Sequence, residues 1–378
     1  MFNFTNSNDS KPLINVVDAM MGQGKSTWLI NTVNNFMSSM FDDVIPPNII
    51  IVTPYLEEVK RFKQECPMAD FVSPVAHGQS KTDNFYELLE GGHNIVTTHS
   101  LWKGLNKTTY DLVSKNKYVL YIDEVMDCVE HCKEISKSDF KILSNNNLIS
   151  TADDGRILWN HDNEPNYRGK FDHVKSLCEN GNLYRYKSKM NFWIFPTDFL
   201  ALFDDVWILT YLWYGSLMDA YTKAAGYKIH HYSLDDFELA FYPLIDEGPM
   251  RAKIKSLITI VDDPKLNAIG ERPKLGEKEC PLSSSWYGRQ SADALKGIRN
   301  LIYNYFTNRV VGPAGVSMWT CYLGQRPSLK GPGFTKGFVS CNTRATNEHR
   351  HRTNLAYMIN LYMVPIVKTF IESRGVKI

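Results

Sequence analysis

A glycine-rich segment near the start of the chain carries residues whose types and spacing suit phosphate binding. Residues 18–27 read Asp-Ala-Met-Met-Gly-Gln-Gly-Lys-Ser-Thr, between an apolar run at residues 13–17 and an amphipathic stretch that starts at Trp28. A strand, a tight glycine turn and a helix are the context that a phosphate-binding loop requires. Gly22 and Gly24 let backbone N–H groups converge on one anion, and the helix N-terminus adds partial positive charge. The segment therefore predicts a phosphate site.

The side chains of this loop suggest individual roles. The segment matches the pattern G-x-x-x-x-G-K-[ST] except at its first position, which is Ala19. Lys25 is expected to reach the β- and γ-phosphates of a nucleotide, and the Ser26 hydroxyl to bind Mg²⁺. The other residues expected to surround the nucleotide are Met21, Gly22, Gln23, Gly24 and Thr27.

A pair of carboxylates forms the second group of chemical interest. Asp123 and Glu124 follow the apolar run at residues 118–122. An aspartate at the tip of a strand near the phosphate loop would hold Mg²⁺, and the following glutamate would polarise the water that attacks the γ-phosphate. An acidic strand-end loop without catalytic function is the alternative. The position about a hundred residues after Lys25, with two strands between, favours catalysis by Lys25, Asp123 and Glu124, with Ser26 and Asp123 as metal ligands.

The elements that must position these residues alternate along the chain. Apolar runs typical of buried parallel strands lie at residues 13–17, 48–54, 94–98, 118–122 and 206–211. Amphipathic helical stretches lie between several of them. This alternation predicts an α/β fold with a right-handed, mostly parallel sheet.

The rest of the chain divides by composition. Residues 133–205 are rich in Asn, Asp, Lys and aromatic residues, which indicates an inserted subdomain with helices and a hairpin. The predicted organisation is a first domain over 1–132, the insertion over 133–205, a return to the first domain over 206–225, and a second domain over 226–378. In the second domain, strands are predicted at 227–232, 254–261, 316–322 and 337–340, and helices at 292–306 and 354–372.

Composition is that of an ordinary soluble protein. Of the 378 residues, 43% are hydrophobic and 22% are charged, and no apolar run reaches the length of a membrane span. The seven cysteines are scattered and odd in number, which predicts reduced thiols in a cytoplasmic compartment, the host cytoplasm for a viral protein. Cys128, His131 and Cys132 are close together, but no second pair stands at zinc spacing.

Charge is distributed unevenly. Residues 1–140 carry 12 Lys/Arg and 18 Asp/Glu, whereas residues 300–378 carry 10 Lys/Arg and 2 Asp/Glu. The basic C-terminal part is consistent with contact to a polyanion such as nucleic acid, and equally with a solvated basic face.

The order of these parts resembles the superfamily 2 DEAD/DEAH-like helicases of phage replication type. Segments similar to motifs I, Ia, Ib, II and III of that family are residues 18–27, 52–54, 97–101, 123–126 and 209–211. A further stretch, residues 337–347, is similar to a segment of the second helicase domain. The resemblance implies two RecA-like parallel-sheet domains, the second incomplete, with ATP and Mg²⁺ in the cleft between them.

The resemblance also implies partners. Single-stranded or forked nucleic acid would cross the domains, with DNA favoured over RNA, and replication proteins would be further partners. The residues expected to contact nucleic acid are Thr53, Pro54, Thr98, His99, Arg344, Asn347 and Arg350. Trp102, Trp213 and Tyr214 would either stack on bases or pack in the core.

Two departures from the family pattern keep an alternative open. Met126 stands at the last position of motif II, and no segment similar to the arginine-bearing motif VI occurs before Ile378. The arginine would then come from a continuation of the chain or from a partner, or hydrolysis would be weak. The predicted function is an ATP-dependent helicase or translocase, and the alternative is a nucleotide-switched DNA-binding module.

Overall fold

The computed structural model describes residues 13–38, 47–76, 78, 80–132, 134–160, 167–187, 190–241, 247–267, 269, 280–343, 348–363 and 365–377. The chain forms two compact units. The first comprises Met1–Pro249 together with Val364–Ile378, and the second comprises Met250–Met363.

The helices and strands follow one another in this order. From the start of the chain they are β1 (Leu13–Asp18), α1 (Lys25–Ser38), β2 (Asn48–Thr53), α2 (Leu56–Glu65), α3 (Lys81–Glu90), β3 (Ile95–Thr98), α4 (His99–Trp102), α5 (Lys107–Lys115), β4 (Tyr118–Asp123), β5 (Val129–His131), α6 (Lys137–Asn145), β6 (Ile149–Thr151), β7 (Ile157–Trp159), α7 (Asp172–Glu179), β8 (Leu183–Tyr186), β9 (Met190–Ile194), β10 (Asp205–Thr210), α8 (Leu217–Ala224), β11 (Lys228–Asp235) and β12 (Glu238–Phe241). They continue with α9 (Gly248–Leu257), α10 (Pro264–Asn267), α11 (Ser284–Tyr287), α12 (Ala292–Asn308), β13 (Ser317–Thr320), α13 (Arg326–Leu329), β14 (Asn354–Tyr357) and α14 (Pro365–Glu372).

A seven-stranded sheet forms the centre of the first unit, in the order β12-β11-β1-β10-β4-β2-β3. All neighbouring strands are parallel except β12, which runs antiparallel to β11. Successive residues of β1 and β2 alternate between two buried apolar clusters, so both faces of the sheet are covered. Burial on both faces explains why these strands are continuous apolar runs in the sequence, and the predicted α/β class is confirmed.

A separate small layer follows β4. Strands β5, β9 and β8 form an antiparallel sheet, and β6 and β7 form a hairpin. The hairpin, β8, α6 and α7 share an apolar cluster of their own, whereas Val129 of β5 and Phe192 of β9 belong to a cluster of the large sheet. The helices and hairpin predicted for residues 133–205 are therefore present, and β10 then returns the chain to the large sheet between β1 and β4.

The boundary of the second unit differs from the prediction at residue 226. The strand predicted at 227–232 is β11, and it pairs with β1 in the first sheet rather than in a second unit. The second unit begins at Met250 instead.

Three elements predicted in the C-terminal part also differ. Residues 254–257 end the helix α9 and do not form a strand. At 337–340 a 3₁₀ turn and a single bridge between Trp319 and Phe338 replace the predicted strand. The helix predicted over 354–372 is divided into β14 and α14, because residues from Asn354 pair in parallel with β13 and Pro365 then begins a new helix.

The second unit has its own core. β13 and β14 pair in parallel, and the fully buried Trp319 of β13 lies in an apolar cluster that includes Ile298 and Ile302 of α12. Within the part of the chain that the structure describes, no helix is both long and apolar enough to cross a membrane.

Candidate functional site

Residues 18–27, the predicted phosphate loop, have the strand-turn-helix geometry that the sequence indicates. β1 ends at Asp18 and α1 begins at Lys25, and both glycines of the turn have left-handed backbone angles, with φ of +84° at Gly22 and +86° at Gly24. The backbone N–H of Ala19 donates to the carbonyl oxygen of Thr210 at 3.1 Å. The loop is thus attached to the end of the neighbouring strand β10.

Within the loop, one side chain maintains the turn. The side-chain oxygen of Gln23 accepts a hydrogen bond from the backbone N–H of Met20 at 2.7 Å. The backbone N–H of Gln23 donates in return to the carbonyl of Met20 at 3.2 Å. Met21 at the tip of the turn is 75% exposed.

Lys25 is buried beneath this loop. Its Nζ donates to the carbonyl oxygen of Ala19 at 2.8 Å. Burial lowers the pKa of Lys25, while the nearby carboxylates of Glu124, Asp123 and Asp18 act in the opposite direction. A divalent cation bound together with the phosphates would offset the negative charge of these nearby carboxylates.

Asp123 lies at the carboxyl end of β4 and is 3% exposed. The hydroxyl of Ser26 donates to Asp123 Oδ2 at 3.5 Å, although the two residues are 97 positions apart. Burial raises the pKa of Asp123 to about 7, with a further upward contribution from Glu124 and an opposing one from Lys25. A divalent cation would stabilise the ionised carboxylate.

The donor set fits Mg²⁺. In the described residues, no group of three or more His, Cys, Asp or Glu side chains is arranged to hold a metal on its own. Mg²⁺ does not require one, because it is commonly bound by one or two protein oxygens together with substrate phosphates and water. The Ser26 hydroxyl and the Asp123 carboxylate would supply those protein oxygens.

Glu124 follows Asp123 in a strained conformation. Its φ is +64°, and its backbone N–H donates to the carbonyl of Leu209 at 2.8 Å. Non-glycine residues rarely adopt such angles, and those that do are concentrated at functional sites. The hydrogen bond attaches the Glu124 turn to the end of β10, which lies between the phosphate-loop strand and the acidic strand.

Sequence reasoning missed a network that joins the ends of β1 and β10 to a residue within β11. The two carboxylate oxygens of Asp18 accept the backbone N–H groups of Leu212 and Trp213 at 2.8 and 2.9 Å. His231 Nε2 of β11 lies 3.7 Å from Asp18, and burial lowers the pKa of this histidine. In the sequence, the Leu-Thr-Tyr segment at 209–211 marks the end of β10. Only the strand order shows that Asp18 binds Leu212 and Trp213, which follow that segment.

The residues predicted to contact nucleic acid have different surroundings. Thr53 and Thr98 are paired in register at the ends of β2 and β3, but Thr53 is completely buried. Pro54 and Thr98 are half-buried. His99 Nε2 lies 3.0 Å from the backbone oxygen of Asp123, so His99 belongs to the surroundings of the acidic strand.

In the second unit, Arg350 is exposed in a turn, whereas Arg344 and Asn347 lie outside the described residues. Of the three aromatic residues considered for base stacking, Trp102 and Trp213 are completely buried and Tyr214 is 60% exposed. The two tryptophans are therefore core residues.

Comparison with known proteins places the chain in a family. It is similar to a protein of Bacillus subtilis (strain 168) named SPbeta prophage-derived uncharacterized protein YonV, with 31% identity over 376 residues, or 96% of this chain and 88% of the relative. The chain belongs to the YonV family. Residues 252–378 match the family model described as the YonV C-terminal Rossmann-like domain, and residues 129–193 match the YonV middle domain.

The family segments correspond to parts of the structure. The middle-domain match runs from β5 into β9. Along the chain, these are the first and last strands of the small antiparallel sheet. The C-terminal match begins two residues after the second unit does, but it also includes α14, which belongs to the first unit.

Proposed function

We propose that this protein hydrolyses Mg-ATP at the site formed by the phosphate loop and Asp123-Glu124, and that hydrolysis drives movement on nucleic acid. The observation that carries the proposal is the approach of the Ser26 hydroxyl, at the start of α1, to Asp123, at the end of β4. The two side chains are 3.5 Å apart, although β10 lies between β4 and the strand that leads into α1. A phosphate loop alone would indicate only anion binding. The buried carboxylate beside it adds a place for a hard cation, and the two together suit phosphoryl transfer.

Each residue has a defined task in this proposal. The backbone of the loop and the α1 N-terminus bind the phosphates, and Lys25 neutralises negative charge on the β- and γ-phosphates. Ser26 and Asp123 hold Mg²⁺, which when bound offsets charge on the phosphate oxygens. Glu124 orients and deprotonates the attacking water, and the hydrogen bond of its backbone to β10 fixes its position.

Action on nucleic acid is supported by the helicase-like order of motifs and by the basic C-terminal part of the sequence. Cycles of nucleotide binding and hydrolysis would change the grip on one strand, with DNA favoured over RNA. In the alternative function, nucleotide occupancy would change affinity for DNA without repeated turnover. The two functions differ in whether single-stranded DNA stimulates hydrolysis.

The test is an ATPase assay with Mg²⁺, with and without single-stranded DNA. We expect DNA-stimulated turnover in the wild type and a loss of about 100-fold or more in Lys25→Ala and in Glu124→Gln. Glu124→Gln should still bind ATP, whereas Lys25→Ala should not. Glu90→Gln, which changes an exposed glutamate at the end of α3, is the matched control and should behave as wild type.

ATP binding without turnover under any condition would favour the switch over the motor. Turnover that Glu124→Gln leaves unchanged would contradict the catalytic role of this glutamate. A protein that binds no nucleotide would refute both functions.

A further inference from the structure

The turn of the hairpin formed by β11 and β12 carries an aromatic side chain next to the phosphate loop. β11 pairs with β1, and it extends three residues beyond the last paired position, Tyr232. The two residues of the turn, Asp236 and Phe237, have φ of +46° and +67°. Phe237 is 47% exposed.

The Phe237 ring packs against the backbone of the phosphate loop. A Cβ atom built on Gly24 would lie 2.6 Å from Phe237 Cδ1, so a side chain at this position would require the Phe237 ring to move. The other glycine of the loop, Gly22, has nothing within 4 Å of the corresponding position. The aromatic ring therefore lies specifically beside the residue that precedes Lys25.

This turn has an unfavourable sequence for its geometry. Two-residue hairpin turns with both φ values positive are formed most easily by Asn-Gly or Asp-Gly. A bulky residue such as phenylalanine in this region is a conformational outlier. Since the ring is half exposed, burial in the core does not offset the strain fully, and a role on the exposed face of the ring is indicated.

The order of strands indicates in which direction a nucleotide bound at the loop would extend. Asp123 and Glu124, which would hold the metal and the attacking water, lie on the β10 and β4 side of β1. β11 and the hairpin turn lie on the opposite side of β1. A nucleoside triphosphate that has its terminal phosphate near Asp123 and passes the loop along this edge of the sheet extends its base toward β11.

We propose that the exposed face of Phe237 stacks on the base of a purine nucleoside triphosphate bound at the phosphate loop. This inference rests on the proposed function, since it requires the triphosphate to bind at Lys25. Stacking on an aromatic side chain uses the π-face that every base presents, and a purine offers the larger face. The hairpin would thus contribute affinity for the nucleoside, while the loop contributes affinity for the phosphates.

The experiment compares two ligands, each with Mg²⁺: ATP, and inorganic tripolyphosphate, which lacks the nucleoside. Dissociation constants are measured by calorimetry for the wild type, Phe237→Ala, Phe237→Trp and Leu239→Ala. Leu239 lies on β12 of the same hairpin and is 37% exposed, so its variant controls for general loosening of the hairpin.

We expect Phe237→Ala to bind ATP about 10-fold more weakly and tripolyphosphate as the wild type does. Phe237→Trp should retain ATP affinity, and Leu239→Ala should match the wild type with both ligands. ATP affinity unchanged in Phe237→Ala would overturn the stacking role, as would equal losses for both ligands, which would show that the ring only supports the loop. A wild type that binds neither ligand would instead refute the proposed function.

Discussion

At the scale of single residues, Asp123 shows how the burial of a carboxylate opposes folding stability. Its carboxylate is almost completely buried, and burial raises its pKa from the ordinary 3.8 to about 7. In the unfolded chain the same group ionises near pH 4. Between pH 4 and pH 7 the unfolded state therefore loses a proton that the folded state keeps, and folding stability falls as the pH rises.

Asp123→Asn should consequently stabilise the protein at pH 8, because the uncharged amide avoids this cost. We expect a gain in the free energy of unfolding of about 1–3 kcal/mol at pH 8 and almost none at pH 4. Urea denaturation in the presence of EDTA, at both pH values, measures the difference. Asp111→Asn, at an exposed position of α5, is the control and should show no comparable gain. If Asp123→Asn is no more stable than the wild type at pH 8, the ionised Asp123 carboxylate does not destabilise the folded protein, and the raised pKa would be wrong.

Sequence alone predicted Lys25, Ser26, Asp123 and Glu124 as candidate site residues because their signals are local. Each lies next to an apolar run or a glycine turn that marks the end of a strand or the start of a helix. The roles of Asp18, His231 and Phe237 depend instead on strand order and register, which bring together residues about 200 positions apart. No local pattern carries that information.

At the scale of elements, the contact between the β11–β12 hairpin and the phosphate loop predicts unequal effects of two similar substitutions. Gly22 and Gly24 have nearly the same φ, so alanine at either should cost about 1–2 kcal/mol of stability from the left-handed backbone. At Gly24 the new methyl group also meets the Phe237 ring, which should add about 1–3 kcal/mol.

A double-mutant cycle separates the two causes. In a Phe237→Ala background, Gly24→Ala should cost about as much as Gly22→Ala does, because only the backbone strain remains. Chemical denaturation of the single and double variants gives the coupling energy. If Gly22→Ala and Gly24→Ala lower the free energy of unfolding equally in the wild-type background, the Phe237 ring does not pack against Gly24.

The sequence predicts a helix or strand correctly where the burial of that segment alone determines its type. β1, β2, β4 and β10 are apolar on both faces, and the sequence shows this directly. β14 was mistaken for the start of a helix because its partner, β13, pairs with it across 37 positions, Ser317 with Asn354. Amphipathic residues followed by an apolar stretch satisfy a helical pattern equally well, and the distant partner decides between them.

At the scale of the whole molecule, the last helix joins the end of the chain to the first unit. Phe370 of α14 stacks on Phe192 of β9 with ring centroids 4.5 Å apart. Tyr186 donates to the carbonyl of Thr369 at 3.5 Å, and Arg374 donates to the carbonyl of Asp154 at 3.2 Å. The segment 364–378 is thus part of the first unit, although the family match assigns it to the C-terminal domain.

Loss of this helix should therefore unfold the first unit rather than the second. Phe370 is 3% exposed, and Phe370→Ala should lower the stability of the first unit by about 3–5 kcal/mol because it leaves a cavity beside Phe192. Lys368→Ala on the same helix removes only a surface pair with Glu372 and should change stability by less than about 0.5 kcal/mol.

Pulsed hydrogen exchange resolves the effect by region: exchange in Phe370→Ala should rise in β1, β9 and β10 while β13 stays protected. Faster exchange confined to residues 250–363 would mean that α14 stabilises the second unit, and the grouping of the last helix with the seven-stranded sheet would be wrong.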